Sequence, residues 1–492
     1  MVCGELDDMS KANFQVDPVE AKKWLDPYQP CNVGIFASYL AVGFGIYFLN
    51  TPLAFYMVDV LSASPQKQAV VTGLQSLPWA LKILCGFVTD SFPIMGLRRK
   101  PYFFIGWGIY ILCNVILAII GNPNIGQLAI FIFLMIMGFV QADVCTDAMI
   151  VERSKSYETT ETRGILQATG YIIRFFGGIV GAALGAVLYN KDSWGWGLSM
   201  RTIFLINGAV PAAIVIPFFY ALVEIRAETP PNIKTQCASI WRLVQRRAVW
   251  KPCSFIFIYN ALLLTNPAWN SFLVNGLEFS NFDIGLLALA GTILSYFALV
   301  VYKKYLFNSS WRLIYVVATG VAFFFTILQL VLVFGLNEKI GMGSEAGELF
   351  FAMGSSGVVA FAQAIQFLPA CRMFLAMCPE GAEGASYAML TTLSNLAGTL
   401  SVSISGSFAN IWDVSNETLA AHDYGGLWRL TLLCGCIMTT GLLFIQLLPS
   451  GVEEQLQLQE SDYSSKTAGT VFVIILSMSL SYIVIYTIVT II

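Results

Sequence analysis

The sequence predicts an all-α polytopic membrane protein, with two six-helix halves that make twelve transmembrane helices and a thirteenth apolar helix near the C-terminus. Twelve apolar stretches follow one another along the 492-residue chain, each near the roughly 20 residues that a helix needs to span a bilayer. Hydrophobic residues make up 57% of the chain and charged residues 12%, with a mean hydropathy of +0.70. Positive charge gathers on every second connection, as in multi-pass proteins.

The order of the apolar stretches defines the expected units of the chain. Each stretch should be a helix, because lipid offers no hydrogen-bond partner to an open backbone. We place the spans near residues 33–57, 69–90, 101–121, 125–150, 164–189, 202–222, 253–275, 283–301, 312–335, 348–377, 382–408 and 425–448, with the thirteenth at 469–491. The expected units are a polar N-terminus (1–32), two halves (33–222 and 253–448), a linker (223–252), and a polar tail with the extra helix (449–492).

The distribution of Lys and Arg predicts the orientation. The second, fourth, sixth, eighth and tenth connections hold sixteen of these residues, and the odd-numbered connections hold four. Basic loops stay in the cytosol, so the even connections and the N-terminus are expected there. The acidic segment 1–32 resembles neither a signal peptide nor an Arg-rich transit peptide. We expect a multi-pass protein of the plasma membrane.

A weak internal repeat relates the two halves. Residues 50–52 (Asn-Thr-Pro) interrupt the first span at nearly the depth where residues 265–267 (Thr-Asn-Pro) interrupt the seventh, and Asp143 in span four matches Gln363 in span ten. Proline kinks a helix by removing a backbone hydrogen bond. Paired breaks in related helices occur at gates and binding sites of transporters, whereas a simple packing kink is the alternative.

The connection between spans two and three carries a recognisable pattern. Asp90 follows four residues after a glycine, and a second glycine precedes the basic run 98–100. This resembles the loop signature of the major facilitator superfamily, with a longer spacing before the basic run. The resemblance implies a charged latch between the halves, while anchoring of the loop at the cytosolic face is the alternative. Candidate gate residues are Asp90, Arg98, Arg99 and, in the matching turn, Glu380.

Several further motifs resemble one family within that superfamily. They are SLPWALK at 76–82, RKPY at 99–102, ADVCTDAMIVER at 142–153 and CPEGAEG at 378–384. Their order is similar to that of the folate–biopterin transporter family, and the similarity runs from about residue 30 to 450. The resemblance implies a major-facilitator fold and uptake of pterins, folates or, in some members, S-adenosylmethionine.

Charged residues inside the predicted spans are the strongest functional candidates, because each costs at least ~2.5 kcal/mol at the bilayer centre. Four lie at comparable depth: Lys82, Asp143, Asp147 and Arg174. Two acids and two bases form a neutral cluster, and the acids share one helix face. An aspartate, Asp143 above all, is expected to hold the pterin ring while Arg174 or Lys82 receives an anion. Lys82 and Asp147 also suit a gate, and a purely structural charge network is the alternative.

The second half offers neutral polar groups near its break. These amides and one indole could present hydrogen bonds and an aromatic face to a flat heterocycle, although amides in spans also join helices to each other. The candidates are Asn266, Asn270, Trp269, Gln363 and Asn395.

These patterns predict a secondary active transporter that works by alternating access, and the family resemblance implies that its substrate is a pterin-like solute, folate or biopterin. Asp143 is the candidate for proton coupling. A carrier of S-adenosylmethionine or another organic solute, and a transporter-like receptor that binds without transport, are the alternatives. No enzyme signature and no phosphate-cradling loop is evident, and we expect no cofactor, no metal and no nucleic acid, only a small-molecule substrate, membrane lipid and a candidate coupling proton.

Overall fold

The computed structural model describes residues 23–62, 65–189, 195–219, 222–224, 233–379, 382–461 and 463–491. Within these ranges the chain is helical, with two isolated β-bridges. The first six main helices are α1 (Pro30–Phe48, continued by Asn50–Phe55 and a π-helical turn Tyr56–Val60), α2 (Pro65–Ala80 and Lys82–Ser91), α3 (Lys100–Ile120), α4 (Ile125–Tyr157), α5 (Ile165–Leu188) and α6 (Met200–Val215, ending in Ile216–Phe218).

A linker helix, Ile233–Gln245, precedes the second set of main helices. These are α7 (Arg247–Leu262 and Trp269–Asn275), α8 (Asn281–Val301 with Tyr302–Leu306), α9 (Trp311–Val333), α10 (Glu345–Met377), α11 (Glu383–Phe408), α12 (Gly425–Thr440 with Gly441–Leu447) and α13 (Lys466–Ile491). Short helices occupy Leu336–Lys339, Asn416–Ala420 and Val452–Glu460. Each predicted span thus overlaps a main helix, although the seventh span includes the non-helical residues 263–268.

Nine helices in the described part of the chain are long and apolar enough to cross a membrane. They correspond to all main helices except α2, α7, α11 and α13. α2 and α7 are divided into shorter segments, and α11 is rich in Ser and Thr, which lowers its hydropathy. The count of twelve spans plus one therefore stays a prediction.

The main helices pack as two bundles with corresponding pairs. In the first bundle α1 packs on α5 and α3 on α4, and in the second α7 packs on α11 and α9 on α10. The bundles meet where α2 packs on α11 and α5 packs on α8. We call the end that carries Arg98, Lys100, Arg153, Lys155 and Arg372 the basic end.

The helix breaks differ between the bundles. α1 is interrupted at Leu49, where the backbone stays close to helical, whereas α7 is open over residues 263–268. Side chains from within α7 and from a neighbouring helix satisfy the opened backbone: the Ser401 hydroxyl donates to the Leu263 carbonyl at 2.7 Å, and Asn266 Oδ1 accepts from the Ala268 amide at 2.9 Å. A non-helical segment can lie at this depth because protein groups replace water as partners.

Glycines bring α1 and α5 into backbone contact. A Cβ atom added at Gly177, Gly181 or Gly185 would lie 2.2, 2.6 or 2.3 Å from a carbonyl oxygen of α1. Only a residue without a side chain allows this approach, which is the small-residue packing common in membrane bundles. The contact fixes α5 against α1, and α5 carries Arg174.

The thirteenth helix, α13, packs on the bundles instead of standing apart. Its start is tied to the start of α7, since the Arg247 amide donates to the Tyr463 carbonyl at 2.8 Å and the Ser465 amide donates to the Gln245 carbonyl at 2.9 Å. Further along, Leu476 and Leu480 join Ala80 of α2 and Leu396 of α11 in one apolar cluster. α13 therefore covers the contact between α2 and α11.

The α1–α5 contact gives a stability prediction. Gly181→Leu should destabilise the fold by about 1–3 kcal/mol, because the added side chain must push α5 away from the Phe44 carbonyl. Thermal unfolding of the purified protein in detergent measures this loss. Gly320→Leu is the matched control, because open space surrounds that glycine in α9. Equal unfolding temperatures for the two variants would contradict the close packing.

Candidate functional site

A central cavity lies between the two bundles. Its volume is about 290 Å³, close to the lower end of the range for small-molecule sites. The walls come from α1, α2 and α5 on one side and from α10 and α11 on the other. The lining residues are Ile46, Tyr47, Trp79, Lys82, Tyr171, Arg174, Phe175, Phe367, Ala370, Cys371, Phe374, Thr391, Ser394 and Asn395.

Four charged side chains from α2, α4 and α5 form a charge cluster beside this cavity. Lys82 Nζ lies 2.8 Å from Asp143 Oδ2 and 2.7 Å from Asp147 Oδ2. Arg174 Nη1 lies 2.9 Å from Asp143 Oδ1. The formal charges sum to zero, which allows burial of groups that would otherwise be too costly in an apolar interior. The structure brings together the four residues that the sequence groups by depth.

Neutral donors complete the coordination of one aspartate. Tyr39 donates to Asp147 Oδ1 at 2.5 Å, and Gln167 Nε2 lies 3.3 Å from the same oxygen and 3.1 Å from the Tyr39 hydroxyl. Asp143 therefore has two cationic partners, whereas Asp147 has one cation and two neutral donors. Sequence reasoning misses Tyr39 and Gln167, since a polar group within a span does not reveal which charge it faces.

A break in α2 places the lysine of the cluster. Pro78 cannot donate a backbone hydrogen bond, the helix ends at Ala80, and a new segment starts at Lys82. The Trp79 ring beside the break has Lys82 Nζ at 5.8 Å and the Arg174 guanidinium at 5.4 Å from its centroid. Both distances are within the range of cation–π attraction. Trp79, which sequence analysis does not select, therefore belongs to the cavity wall and to the cluster.

The cations of the cluster face the cavity, and the carboxylates lie behind them. Lys82, which is itself 3% exposed, and Arg174 line the cavity. Asp143 is fully buried, Asp147 is 1% exposed, and neither is among the lining residues. Both Asp143 oxygens are bound to the cations. In this conformation the wall of the first bundle therefore presents positive charge and aromatic rings, and Asp143 is covered by its own partners.

The candidate residues of the second bundle are dispersed. Asn395 lines the cavity. Asn266 is buried and donates to the Thr431 hydroxyl of α12 at 2.8 Å, so its side chain closes the break in α7. Trp269 is buried against Phe272, Asn270 is exposed, and Gln363 is half-buried. Among the described residues that line the cavity, Asn395 is present and the other four candidates are not.

The second bundle contains a neutral network where the first has charges. Gln366 Nε2 donates to the Tyr259 hydroxyl at 2.8 Å, and Tyr259 lies 2.6 Å from the Thr319 hydroxyl. Asn260 donates to the Ser394 hydroxyl at 2.8 Å, joining α7 to α11 at the cavity wall. The amides of Gln366 and Asn260 connect helices, which is the alternative role that the sequence analysis gives to amides of the second half.

A second ionic network closes the basic end. Asp90 pairs with Arg99, and Asp90 Oδ2 accepts from the Ala385 amide at 2.6 Å. Ala385 lies in the first turn of α11, so the carboxylate of the first bundle caps a helix of the second. A Cβ atom at Gly86 would lie 2.6 Å from the Gly384 carbonyl, which shows how closely α2 and α11 approach. We call this contact the latch.

Other predicted gate residues lie around the latch. Arg99 Nη2 lies 2.9 Å from Glu152, and Arg98 Nη2 lies 3.8 Å from the same carboxylate. Glu380 falls outside the described residues. Glu224, which sequence analysis does not select, accepts from the amides of Arg98, Arg99 and Lys100 at 2.6, 2.9 and 2.8 Å and so caps α3.

Glu158 makes an equivalent cap for α5 at the basic end. Its carboxylate accepts from the amides of Gly164 and Leu166, both at 2.7 Å. Burial raises the pKa of this carboxyl, against the opposing effect of the hydrogen bonds from Ser154 and these amides. The connections at the basic end are thus held by acidic caps as well as by basic side chains.

Comparison with known proteins gives consistent matches over most of the chain. The model of the BT1 family matches residues 42–467. The chain is 26% identical over 403 residues to the folate-biopterin transporter of Synechocystis sp., covering 81% of this chain and 78% of that protein. It is 23% identical over 460 residues to folate transporter 2 of Plasmodium falciparum, covering 93% and 96%. It is 25% identical over 409 residues to a probable folate-biopterin transporter of Arabidopsis thaliana, covering 80% and 78%.

A solved structure gives the fold. The chain superimposes on FucP, a major facilitator superfamily transporter in the outward conformation, with a TM-score of 0.58 over 86% of this chain and 99% of that one. The sequences are 10% identical, so the likeness concerns the fold alone. The fold is therefore that of the major facilitator superfamily.

The charge cluster makes a prediction about paired substitutions. Lys82→Met should destabilise the protein by about 3–5 kcal/mol, because it leaves Asp147 buried without a cation. Adding Asp147→Asn should restore most of the loss, since Asp143 and Arg174 still form a pair. Thermal unfolding in detergent measures both effects.

The control is Lys82→Met combined with Asp143→Asn. That double variant removes the partners of Arg174 and Asp147, and these two charged residues do not pair with each other in the structure. Its stability should therefore remain low. Equal rescue by the two asparagines would mean that net charge alone, and not the observed pairing, stabilises the cluster.

Proposed function

The chain belongs to the BT1 family, and we propose that it is a secondary active transporter that moves a pterin-like solute, folate or biopterin, across a membrane by alternating access. The printed names of its relatives, folate-biopterin transporter and folate transporter, support this substrate class. The likeness to a major facilitator superfamily transporter supports a mechanism in which two bundles move around a central site.

One observation carries the choice among substrates: the cavity wall presents Lys82 and Arg174, while the two aspartates lie behind them. A positive wall attracts the carboxylate of a folate glutamyl tail, and Arg can bind a carboxylate through two parallel hydrogen bonds. The sulfonium cation of S-adenosylmethionine would find no free Asp143 carboxylate at the same wall, because both Asp143 oxygens are bound to Lys82 and Arg174. The geometry therefore favours an anionic pterin conjugate such as folate over S-adenosylmethionine.

The apolar part of the cavity suits a flat ring. Trp79 and Tyr171 of the first bundle face a cavity whose opposite wall includes Phe367 and Phe374. Aromatic walls stabilise planar heterocycles by stacking, and a few polar groups fix their orientation. In this proposal Arg174 and Lys82 bind the anionic end, and Asn395 provides an amide to the ring. Asp143 acts by holding both cations in place.

The same geometry suggests how a proton would be coupled. When a substrate carboxylate binds Arg174 in place of Asp143, Asp143 loses one of its two cations and becomes easier to protonate. Protonation of Asp143 would in turn release Arg174 for the substrate. The proton and the anionic substrate would thereby cross in the same direction, as in a symporter.

We propose twelve spans in two halves, 33–222 and 253–448, joined by the linker 223–252, with the N-terminus and the basic end in the cytosol of a plasma-membrane protein. In that orientation the latch closes the cytosolic side. α13, whose start is bonded to the start of α7, would then begin on the cytosolic side and cross the membrane as a thirteenth span.

Uptake of labelled folate, biopterin and S-adenosylmethionine tests the proposal in cells that lack their own carriers. We expect saturable uptake of folate, reduced at least tenfold by Arg174→Ala, because a charge-assisted hydrogen bond contributes about 1.5–3 kcal/mol. Arg429→Ala is the matched control, since that exposed arginine lies on α12 beside Trp428, away from the lining of the cavity.

The outcomes separate the alternatives. Uptake of S-adenosylmethionine alone would replace the proposed substrate. Binding of folate without uptake of any compound, at normal surface expression, would favour a receptor. Equal loss of uptake in both arginine variants would remove Arg174 from the proposed site.

Proton coupling has its own test in Asp143→Asn. We expect folate uptake by the native protein to rise as the external pH falls, and we expect the variant to bind folate while its remaining uptake no longer depends on pH. Binding and uptake are measured separately on reconstituted vesicles. An unchanged pH profile in the variant would reject Asp143 as the coupling residue.

A further inference from the structure

A second cavity lies on the outer side of the bundles, apart from the central cavity. Its volume is about 290 Å³, and it runs between α7 and α13 with α11 as its floor. On α7 the lining residues recur at helical spacing, including Trp250, Ser254 and Phe257, and on α13 they include Val471 and Phe472. Leu393 closes the cavity towards α11. The result is an elongated apolar groove between two helices.

One polar atom in this groove has no partner in the described part of the chain. Trp250 Nε1 is buried and lacks an acceptor there. The nearby Ser254 hydroxyl is satisfied by donating to the Trp250 carbonyl at 2.7 Å. A buried donor without an acceptor is unfavourable, so an acceptor brought by an occupant of the groove would stabilise the Trp250 ring.

A cation stands at the basic end of the groove. Arg247 is exposed and lies one helical turn before Trp250, just beyond the residues that line the groove. Its guanidinium carbon lies 5.9 Å from the centre of the Tyr463 ring. Since the backbones of residues 247 and 463 are hydrogen-bonded, α7 and α13 are joined here. An occupant therefore enters from the lipid side and meets positive charge at one end.

We propose that this groove binds an anionic phospholipid. One acyl chain fills the apolar space, an ester carbonyl accepts from Trp250 Nε1, and the phosphate lies near Arg247. The apolar wall, the single donor and the cation follow one another along the groove. The acyl chain, the ester carbonyl and the phosphate follow one another along the phospholipid in the same order. An empty groove would forfeit the dispersion contacts that an acyl chain supplies. Trp also favours the depth at which ester carbonyls lie.

The groove and the central cavity share a wall. Leu393 of α11 faces the groove, while its neighbours Ser394 and Asn395 face the central cavity. Asn260 of α7 bonds to Ser394 across the same wall. The lipid thus rests against the outer faces of α7 and α11, and α11 shapes the central cavity from the second bundle.

Native mass spectrometry of the full-length protein in detergent tests the site, with phosphatidylglycerol as the probe and phosphatidylcholine as the neutral comparison. We expect one tightly held phosphatidylglycerol per chain. Val471→Trp, which fills the groove, should weaken it at least tenfold. Trp250→Phe keeps an aromatic ring but removes the donor, and should weaken it roughly fivefold.

Val473→Trp is the matched control, because Val473 is also an exposed valine of α13 but is not among the residues that line the groove. It should retain the native affinity. Equal affinities of the 471 and 473 variants would overturn the site. Equal binding of phosphatidylcholine, or retention of detergent alone, would overturn the assignment to an anionic phospholipid. Because Trp250→Phe preserves an aromatic ring in the groove, weaker binding at an unchanged unfolding temperature separates the lost donor from misfolding.

Discussion

The geometry of the central cavity depends on the double ion pair of Asp143. A carboxylate in an apolar interior must be matched by opposite charge, and this one binds Lys82 from α2 and Arg174 from α5 at once. α2, α4 and α5 are thereby held at fixed separations. The break in α2 and the glycine contact between α1 and α5 bring the two cations to it, and the cations then form the cavity wall.

The charge cluster lies wholly within the first bundle, whereas the latch crosses between the bundles. Asp90 and Arg99 both belong to the first bundle, and the short contact to the second is the amide of Ala385. If α2 and α11 separate, the carboxylate keeps its cation and loses one amide hydrogen bond, which is worth about 1.5–3 kcal/mol when the partner is charged. Opening would also separate Arg99 from Glu383 of α11, whose carboxylate lies 3.9 Å from Arg99 Nη2, but the Asp90 carboxylate would stay paired with its cation.

Sequence reasoning succeeds where an energetic penalty marks the residue. Intramembrane charge is costly, so the sequence alone is enough to select Lys82, Asp143 and Arg174 and to group them by depth. Neutral groups carry no such mark. The depth of Asn266 suggests a binding site, yet its amide is used to close the break in α7. Trp79, Tyr39 and Glu224 acquire their roles from helices distant in sequence, which one sequence does not reveal.

The two walls of the cavity are chemically unequal. The first bundle supplies both cations, and the second supplies aromatic rings with neutral groups such as Ser394 and Asn395. A solute with one charged end and one flat end would therefore take a single orientation, with its charge towards α5. Because the charge is bound by one bundle alone, the second can move over the flat end without breaking an ion pair. The same division keeps the costly desolvation of ions inside a bundle whose own packing does not need to change.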